Sequence, residues 1–262
     1  MNSQHRRRRK MACAAVAALL AMYATLSAVA APTVIQGPET KVQLVELFTS
    51  EGCSSCPPAD NWLAKLESSP SLWQHFAPIG FHVDYWDQLG WRDRFASAAN
   101  TARQRNYVRG GSANGVYTPG WFVDGKEWRG WFNRQALPAS AGTRVGSLKL
   151  TIDGNDITVQ TLAPALANQA TTLHVALVGV GLTSAIRRGE NEGRTLNHAF
   201  VMLANGDARF ENGSGRLRLP NRLPNEMPRR RAVVAWVTAN NSTTPLQVAG
   251  GWLPAPADLA SR

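Results

Sequence analysis

Val42-Gln43-Leu44-Val45-Glu46-Leu47-Phe48-Thr49-Ser50-Glu51-Gly52-Cys53-Ser54-Ser55-Cys56-Pro57-Pro58-Ala59-Asp60 is the stretch on which the fold turns. Its first part, 42–48, is an apolar run of strand length. Residues 57–66 then read as a helix, because Pro57 and Pro58 are tolerated only in a helix's first turn. Between them stand Cys53 and Cys56, the only two of the chain's three cysteines outside the N-terminal thirty residues. The order strand, C-x-x-C, helix aims helix-end N–H groups and the positive dipole end at the first sulfur, which stabilises a thiolate. Cys53 is therefore expected as the exposed nucleophile and Cys56 as the resolving thiol. A bridge over two intervening residues removes little loop entropy, so redox or soft-metal chemistry is a better reason for this spacing than stability.

The N-terminus reads as a secretory leader over residues 1–30. Arg6 to Lys10 form a basic start, 11–26 an apolar stretch that contains Cys13, and Ala28-Val29-Ala30 a small-residue cleavage site. An uncleaved membrane anchor is the alternative, since the apolar run approaches bilayer-spanning length. Removing the leader takes five of the 28 Lys and Arg and none of the 18 Asp and Glu, so the net charge falls from +10 to +5. A nucleic-acid partner loses its main support with that charge. Arg229-Arg230-Arg231, after Pro228, reads as a solvated loop edge. The expected location is periplasmic or secreted, with contact to a membrane only through an uncleaved leader.

After the leader, the chain mixes patterns and then changes character. A second strand is expected at 79–84 and a helix at 95–108, stopped by Gly110-Gly111. Residues 121–131 read as a hairpin around Asp124-Gly125. From about Gly146 short alternating segments follow, at 148–152, 157–162, 173–182, 199–203, 208–211, 216–219, 232–238 and 246–252. Polar and Pro-rich turns between them argue for an antiparallel β-sandwich. The expected organisation is a leader at 1–30, an α/β domain at 31–143 and an all-β sandwich-like domain at 144–262.

Further residues are expected to gather at the cysteines. Tyr117-Thr118-Pro119 precedes a strand, and its X-Pro bond is a candidate cis peptide that presents the Thr118 backbone to an extended substrate. Glu46, in the strand before the cysteine turn, is expected to face inward and to take the proton of Cys56. His82 and Asp84 are two apart on a strand and share a face, as active-site neighbours, metal ligands or a hydrogen-bonded structural pair. Seven of the nine tryptophans fall between Trp62 and Trp131; Trp86, Trp91 and Trp121 are candidates to line a groove for apolar peptide. Gly189-Glu190-Asn191-Glu192-Gly193-Arg194-Thr195-Leu196-Asn197-His198 is a polar, Gly-bounded loop that either reaches over the cysteines or pairs Arg194 with its own glutamates.

The C-x-x-C after a central strand, the acid earlier in that strand and the proline facing the cysteines together resemble the thioredoxin-like superfamily. The resemblance implies an α/β thioredoxin-like domain, here with a helical insertion and with proline after rather than between the cysteines. More closely, residues 48–60, His82-Val83-Asp84-Tyr85-Trp86-Asp87 with Leu89-Gly90-Trp91, Tyr117-Thr118-Pro119 and 189–198 are similar to an uncharacterised family of secreted bacterial proteins. That similarity spans roughly 42–252 and brings no activity with it.

The function expected from these readings is an exported thiol–disulfide oxidoreductase. Cys53, Cys56 and Glu46 are its catalytic candidates, and Tyr117, Thr118, Pro119 and Trp86 its substrate-binding candidates. It needs no cofactor beyond the redox-active disulfide, and its partners are protein thiols or disulfides, or a redox partner. Two alternatives stand beside it: a periplasmic copper-binding protein using Cys53, Cys56 and His82 as ligands, and a non-catalytic binding protein with a structural disulfide.

Overall fold

The computed structural model describes residues 31–220 and 227–255. The leader expected at 1–30 lies outside the described residues. Strand β1 is Thr33–Gln36, β2 Gln43–Thr49, β3 Phe76–His82, β4 Gly120–Val123 and β5 Lys126–Glu127. Strands β6 (Lys149–Asp153), β7 (Asp156–Gln160), β8 (Thr172–Val180), β9 (Leu182–Ala185) and β10 (Thr195–His198) follow. The last four are β11 (Val201–Arg209), β12 (Ser214–Arg218), β13 (Arg230–Thr238) and β14 (Pro245–Trp252). The α-helices are α1 (Pro57–Lys65), α2 (Ala98–Arg109) and α3 (Pro164–Gln169). Among the described residues no helix is long and apolar enough to cross a membrane.

Eight strands form one mixed sheet in the order β14-β13-β8-β11-β3-β2-β4-β5. A four-stranded antiparallel sheet, β1-β6-β7-β12, packs beside it, and β9 and β10 form a separate two-stranded ribbon. This corrects the expectation of an α/β thioredoxin-like domain followed by an all-β sandwich-like domain. The fold is predominantly β, with fourteen strands against three short α-helices among the described residues. Strands from both halves of the chain share the large sheet, and the described residues from Pro32 onward pack as one compact unit.

The reason lies in β3. All seven of its residues, Phe-Ala-Pro-Ile-Gly-Phe-His, are buried, so it needs a neighbour on both edges. One is β2, parallel, with Leu47 opposite Gly80. The other is β11, which meets β3 in parallel only at Val201 and Gly80, where the Gly80 N–H donates to Phe200 O at 2.7 Å. Residues two apart on a strand point their N–H groups to the same side. Pro78 has no N–H on that side, so the ladder does not extend from Gly80 toward the start of β3. Within the large sheet the junction between halves is short, and sequence periodicity carries no trace of it; β1 and β6 join the halves again in the four-stranded sheet.

Two cores result. Phe48 sits in the first, stacked on Phe81 (ring centroids 5.4 Å apart) and meeting Phe122 and Tyr107 edge-on. The second lies between the two sheets, where Leu150, Ile157 and Val159 meet Leu173, Val175 and Val233. At β4–β5 the hairpin turn has Asp124 and Gly125 both at positive φ (49° and 78°), as a two-residue hairpin turn requires.

Phe48 is fully buried. Phe48→Ala is expected to lower the unfolding free energy by about 3–5 kcal/mol, read from the denaturant midpoint at unchanged slope.

Candidate active site

Strand β2 ends at Thr49, and two tight turns follow. The Cys53 N–H donates to Ser50 O and the Cys56 N–H to Cys53 O, both at 3.2 Å. Cys56 is the N-cap of α1, and the N–H groups of Ala59 and Asp60 both donate to its carbonyl. Pro57 and Pro58 have no N–H to offer, so no backbone donor of the first turn is left free for a sulfur. Cys53 and Cys56 are joined as a disulfide with Cα atoms 5.4 Å apart. The Ser55 hydroxyl lies 3.3 Å from Cys53 Sγ and is the donor, since the bonded sulfur has no proton.

Ser54 and Ser55 are exposed, yet both cysteines are completely buried. This corrects the expectation of Cys53 as an exposed nucleophile. The cover includes the 189–194 loop of the second half. Asn191, itself fully buried, donates its side-chain amide to Glu51 O and Cys53 O at 2.9 Å each. Glu190 accepts from the Ser54 N–H at 2.9 Å, and its carboxyl is held below the usual range by hydrogen bonds from the Ser54 hydroxyl and backbone. Of the two fates read for this loop, reaching over the cysteine turn is the one observed. Arg194 pairs with Asn191 Oδ1 at 3.0 Å.

The Thr118–Pro119 peptide is cis. Its neighbour Trp86 donates from Nε1 to Thr118 Oγ1 at 2.8 Å. On the other side Trp86 packs on the cysteine turn: a Cβ placed at Gly52 would lie 3.1 Å from Trp86 Cβ. Tyr117 is held by its carbonyl, which accepts from Gln104 Nε2 at 2.6 Å, and by its hydroxyl, which donates to Glu127. Tyr117, Thr118, Pro119 and Trp86 thus form one unit beside the cysteine turn. Trp121 is no groove residue: it is fully buried among Trp62, Trp128 and Trp131.

Glu46 is placed away from the cysteines. It alternates with Leu47 and shares a face with Phe48, the face covered by α2. There its carboxylate accepts from Arg103 Nε at 2.6 Å and from the Tyr107 hydroxyl. Helix α1 lies over the opposite face, with Leu63 against the Gly80 position paired to Leu47. Glu46 anchors α2 to the sheet and is not turned toward Cys56, a correction to its expected role.

A second acid is turned toward that side. Asp60 lies four residues after Cys56, on the same face of α1, and is buried. Burial pushes its carboxyl up, partly offset by the nearby His82 and His198. Around it stands a buried ionisable cluster. Asp93 accepts from the Glu51 N–H at 2.9 Å, His82 Nδ1 at 2.6 Å and the Phe95 N–H at 2.9 Å. Trp91 Nε1 donates to Glu51 Oε2 at 2.7 Å, and His198 Nε2 lies 3.1 Å from Glu51 Oε1. The His82 and His198 rings are 5.1 Å apart. Glu51 Oε1 and His198 Nε2 face each other outside hydrogen-bond geometry, and His198 Nδ1 is buried without a protein hydrogen-bond partner. Burial lowers the His82 pKa, but the Asp93 carboxylate outweighs it and holds the ring at about 9.

The partner of His82 is therefore Asp93 and not Asp84, whose carboxylate accepts from the Thr101 hydroxyl at 2.6 Å. Glu51, Asp60, Asp93 and Asn191 are site residues that sequence reasoning missed. The signal was present, since Glu51, Asp60, Asn191 and His198 all fall in the segments that carried the family resemblance. Among the described residues no three His, Cys, Asp or Glu side chains converge in a geometry that would hold a metal ion. Of the three residues expected as copper ligands, the two sulfurs are bonded to each other and His82 Nδ1 is bonded to Asp93.

Comparisons with known proteins agree with the uncharacterised family expected from the motifs. A profile of the family described as "Protein of unknown function (DUF1223)" matches residues 44–238. A crystal structure of an Agrobacterium tumefaciens protein is similar at 25% identity, over 84% of this chain and 97% of that one, with a TM-score of 0.55. HBP35 of Porphyromonas gingivalis is similar at 12% identity, over 84% and 82% of the two chains, with a TM-score of 0.54. That second likeness is one of fold alone. No functionally curated protein matches the chain.

The His82–Asp93 pair makes stability depend on pH. A histidine whose folded pKa is about 9 against a model-peptide value of 6.5 contributes fully below pH 6.5, and that contribution is lost as pH rises through 9. Asp93, lowered by the His82 charge against the opposing effect of burial, loses its contribution on the acid side instead. The unfolding free energy is expected to fall between pH 6.5 and 9, and His82→Asn to flatten that limb, as measured by chemical denaturation across the range.

Proposed function

We propose that this chain, which belongs to the family described as "Protein of unknown function (DUF1223)", is an exported thiol–disulfide oxidoreductase acting on protein thiols through Cys53 and Cys56. The observation that carries the reading is the disulfide itself. It spans two residues at the head of α1, inside a hydrogen-bonded polar turn and next to a buried carboxyl group. As a staple such a bridge is poor, because it closes almost no loop. As an electron carrier its two-residue spacing at a helix start suits thiol exchange, and what stabilisation a departing thiolate receives comes from the helix as a whole and not from free first-turn N–H groups. The leader-like residues 1–30 support a compartment where disulfides persist.

In the oxidising direction a substrate thiolate attacks Cys53 Sγ. A mixed disulfide forms, the Cys53–Cys56 bond breaks, and Cys56 leaves as a thiolate that takes a proton. Asp60 is the acid suited to give that proton, since burial keeps its carboxyl protonated to higher pH and it shares a helix face with Cys56. A second substrate thiolate then attacks the substrate sulfur of the mixed disulfide, releasing the substrate disulfide and Cys53. Two electrons and two protons pass from substrate to protein. The unit of Trp86 and Tyr117 to Pro119 supplies the surface against which the substrate segment lies.

A second reading, a structural disulfide in a binding protein, is favoured by one observation: both cysteines are fully buried. Turnover separates the two. Wild-type protein is expected to catalyse insulin reduction with a dithiol donor, Cys53→Ser to fall to the uncatalysed rate, and Cys56→Ser to accumulate a mixed disulfide on Cys53, visible by mass spectrometry. No turnover together with no trapped adduct would leave the structural disulfide as the better account.

A further inference from the structure

The turn that carries the two buried cysteines is bonded by the segment joining β9 to β10. Those strands form a ribbon outside both larger sheets, anchored at its base where Leu182 packs with Phe95 and Val201. An isolated two-stranded ribbon is marginally stable. Its tip, 186–194, is an ordered loop: the Gly193 N–H donates to Ile186 O, the Ile186 N–H to Arg194 O, and the Glu192 N–H to Gly189 O. Gly189 and Gly193 take positive φ (81° and 79°), conformations that L side chains rarely adopt. Arg194 fixes the Asn191 amide by donating to its oxygen, which turns the NH2 group toward the cysteine turn.

Three backbone groups of the turn are satisfied by this tip. The Ser54 N–H donates to a carboxylate, and the Glu51 and Cys53 carbonyls accept from one amide. An acceptor and donors presented side by side are what an extended peptide backbone also presents. We propose that the 189–194 strap is a gate that stands in for substrate, and that the partner able to open it is an extended, thiol-bearing peptide segment. Such a segment replaces the three strap hydrogen bonds as it docks. A small thiol offers nothing in their place and waits for spontaneous opening. This inference rests on the redox reading above. Each turnover takes two electrons and two protons from two partner thiols, leaving a partner disulfide and free Cys53 and Cys56 thiols.

The test follows single-turnover reduction of the disulfide by dithiothreitol and, at equal thiol concentration, by a reduced, unfolded model protein. For wild type the dithiothreitol rate is expected to saturate at the opening rate, while the unfolded protein reacts faster. Asn191→Ala and Glu190→Ala are expected to speed the dithiothreitol reaction on the order of tenfold and to shrink the preference for the polypeptide. Glu190 is exposed, so its variant retains the fold, checked by near-ultraviolet circular dichroism. A dithiothreitol rate linear in concentration and equal in all three proteins would overturn the gate. Faster dithiothreitol reduction in the variants with no wild-type preference for the polypeptide would overturn the peptide assignment. A gate effect in both variants with no insulin turnover in any of the three proteins supports the gate and sinks the redox reading, so the two failures are distinct.

Discussion

The carboxylate of Asp93 holds the candidate site together. One oxygen accepts from the Glu51 backbone N–H and from His82 Nδ1, and the other from the Phe95 N–H. Those three partners belong to the turn after β2, the last residue of β3 and the segment entering α2. A buried carboxylate is tolerated only when its lone pairs are filled and its charge is matched, and Asp93 has both. Because the same group fixes the turn before Cys53 and the end of β3, the disulfide's position is inherited from an ion pair and not from apolar packing. Asn191 adds a second tie to the same turn, from the other half of the chain.

Charges buried at this density are a weak source of net stability, because desolvation offsets most of the attraction. Their use is in specificity of geometry and in chemistry. Glu46 with Arg103 and Tyr107, on the far face of the sheet, illustrates the first: it locks α2, whose buried face is otherwise polar (Asn100, Thr101, Gln104) and gains little from apolar burial. Those polar residues in turn position the site. Asn100 donates to His82 O, Thr101 holds Asp84, and Gln104 holds the Tyr117 carbonyl. The cluster of Asp60, Glu51, His82 and His198 differs in kind. It contains a buried His198 Nδ1 without a protein partner and, in Asp60, a carboxyl pushed up by burial.

Local features were legible in the sequence and long-range ones were not. The 43–49 strand, the helix opening on Pro57, the Asp124-Gly125 turn and the proline after Thr118 each carry a steric or periodic signature, and each is found close to where it is expected. The joining of the two halves carries none, since it rests on one rung at Gly80 in the large sheet and on the pairing of β1 with β6 in the smaller one, both between segments far apart in sequence. His82 and Asp84 failed as a pair for a definable reason: strand alternation ends with β3 at His82, so the rule that places residues two apart on one face no longer applies at Asp84. Glu46 failed differently. Alternation correctly opposes it to Leu47, but which face the crossover helix covers is a property of the connection and not of the strand.

The burial of the disulfide is a constraint on chemistry, and it fits the rest of the turn. An exposed C-x-x-C at a helix end with free N–H donors forms a thiolate readily and reacts with any thiol it meets. Here Pro57 and Pro58 remove two of those donors and Cys56 O engages the next two N–H groups, so the backbone gives a sulfur anion less than a helix end ordinarily does. A strap hydrogen-bonded to the same turn works in the same direction. Both features restrain reactivity, one electronically and one by access. If the strap opens as proposed, they also act at different moments: the prolines whenever a thiolate forms, the strap only while it is closed. On the redox reading proposed above, a site arranged this way favours reaction on encounter with a segment that binds the turn and suppresses it otherwise, which is the behaviour selectivity for protein thiols demands.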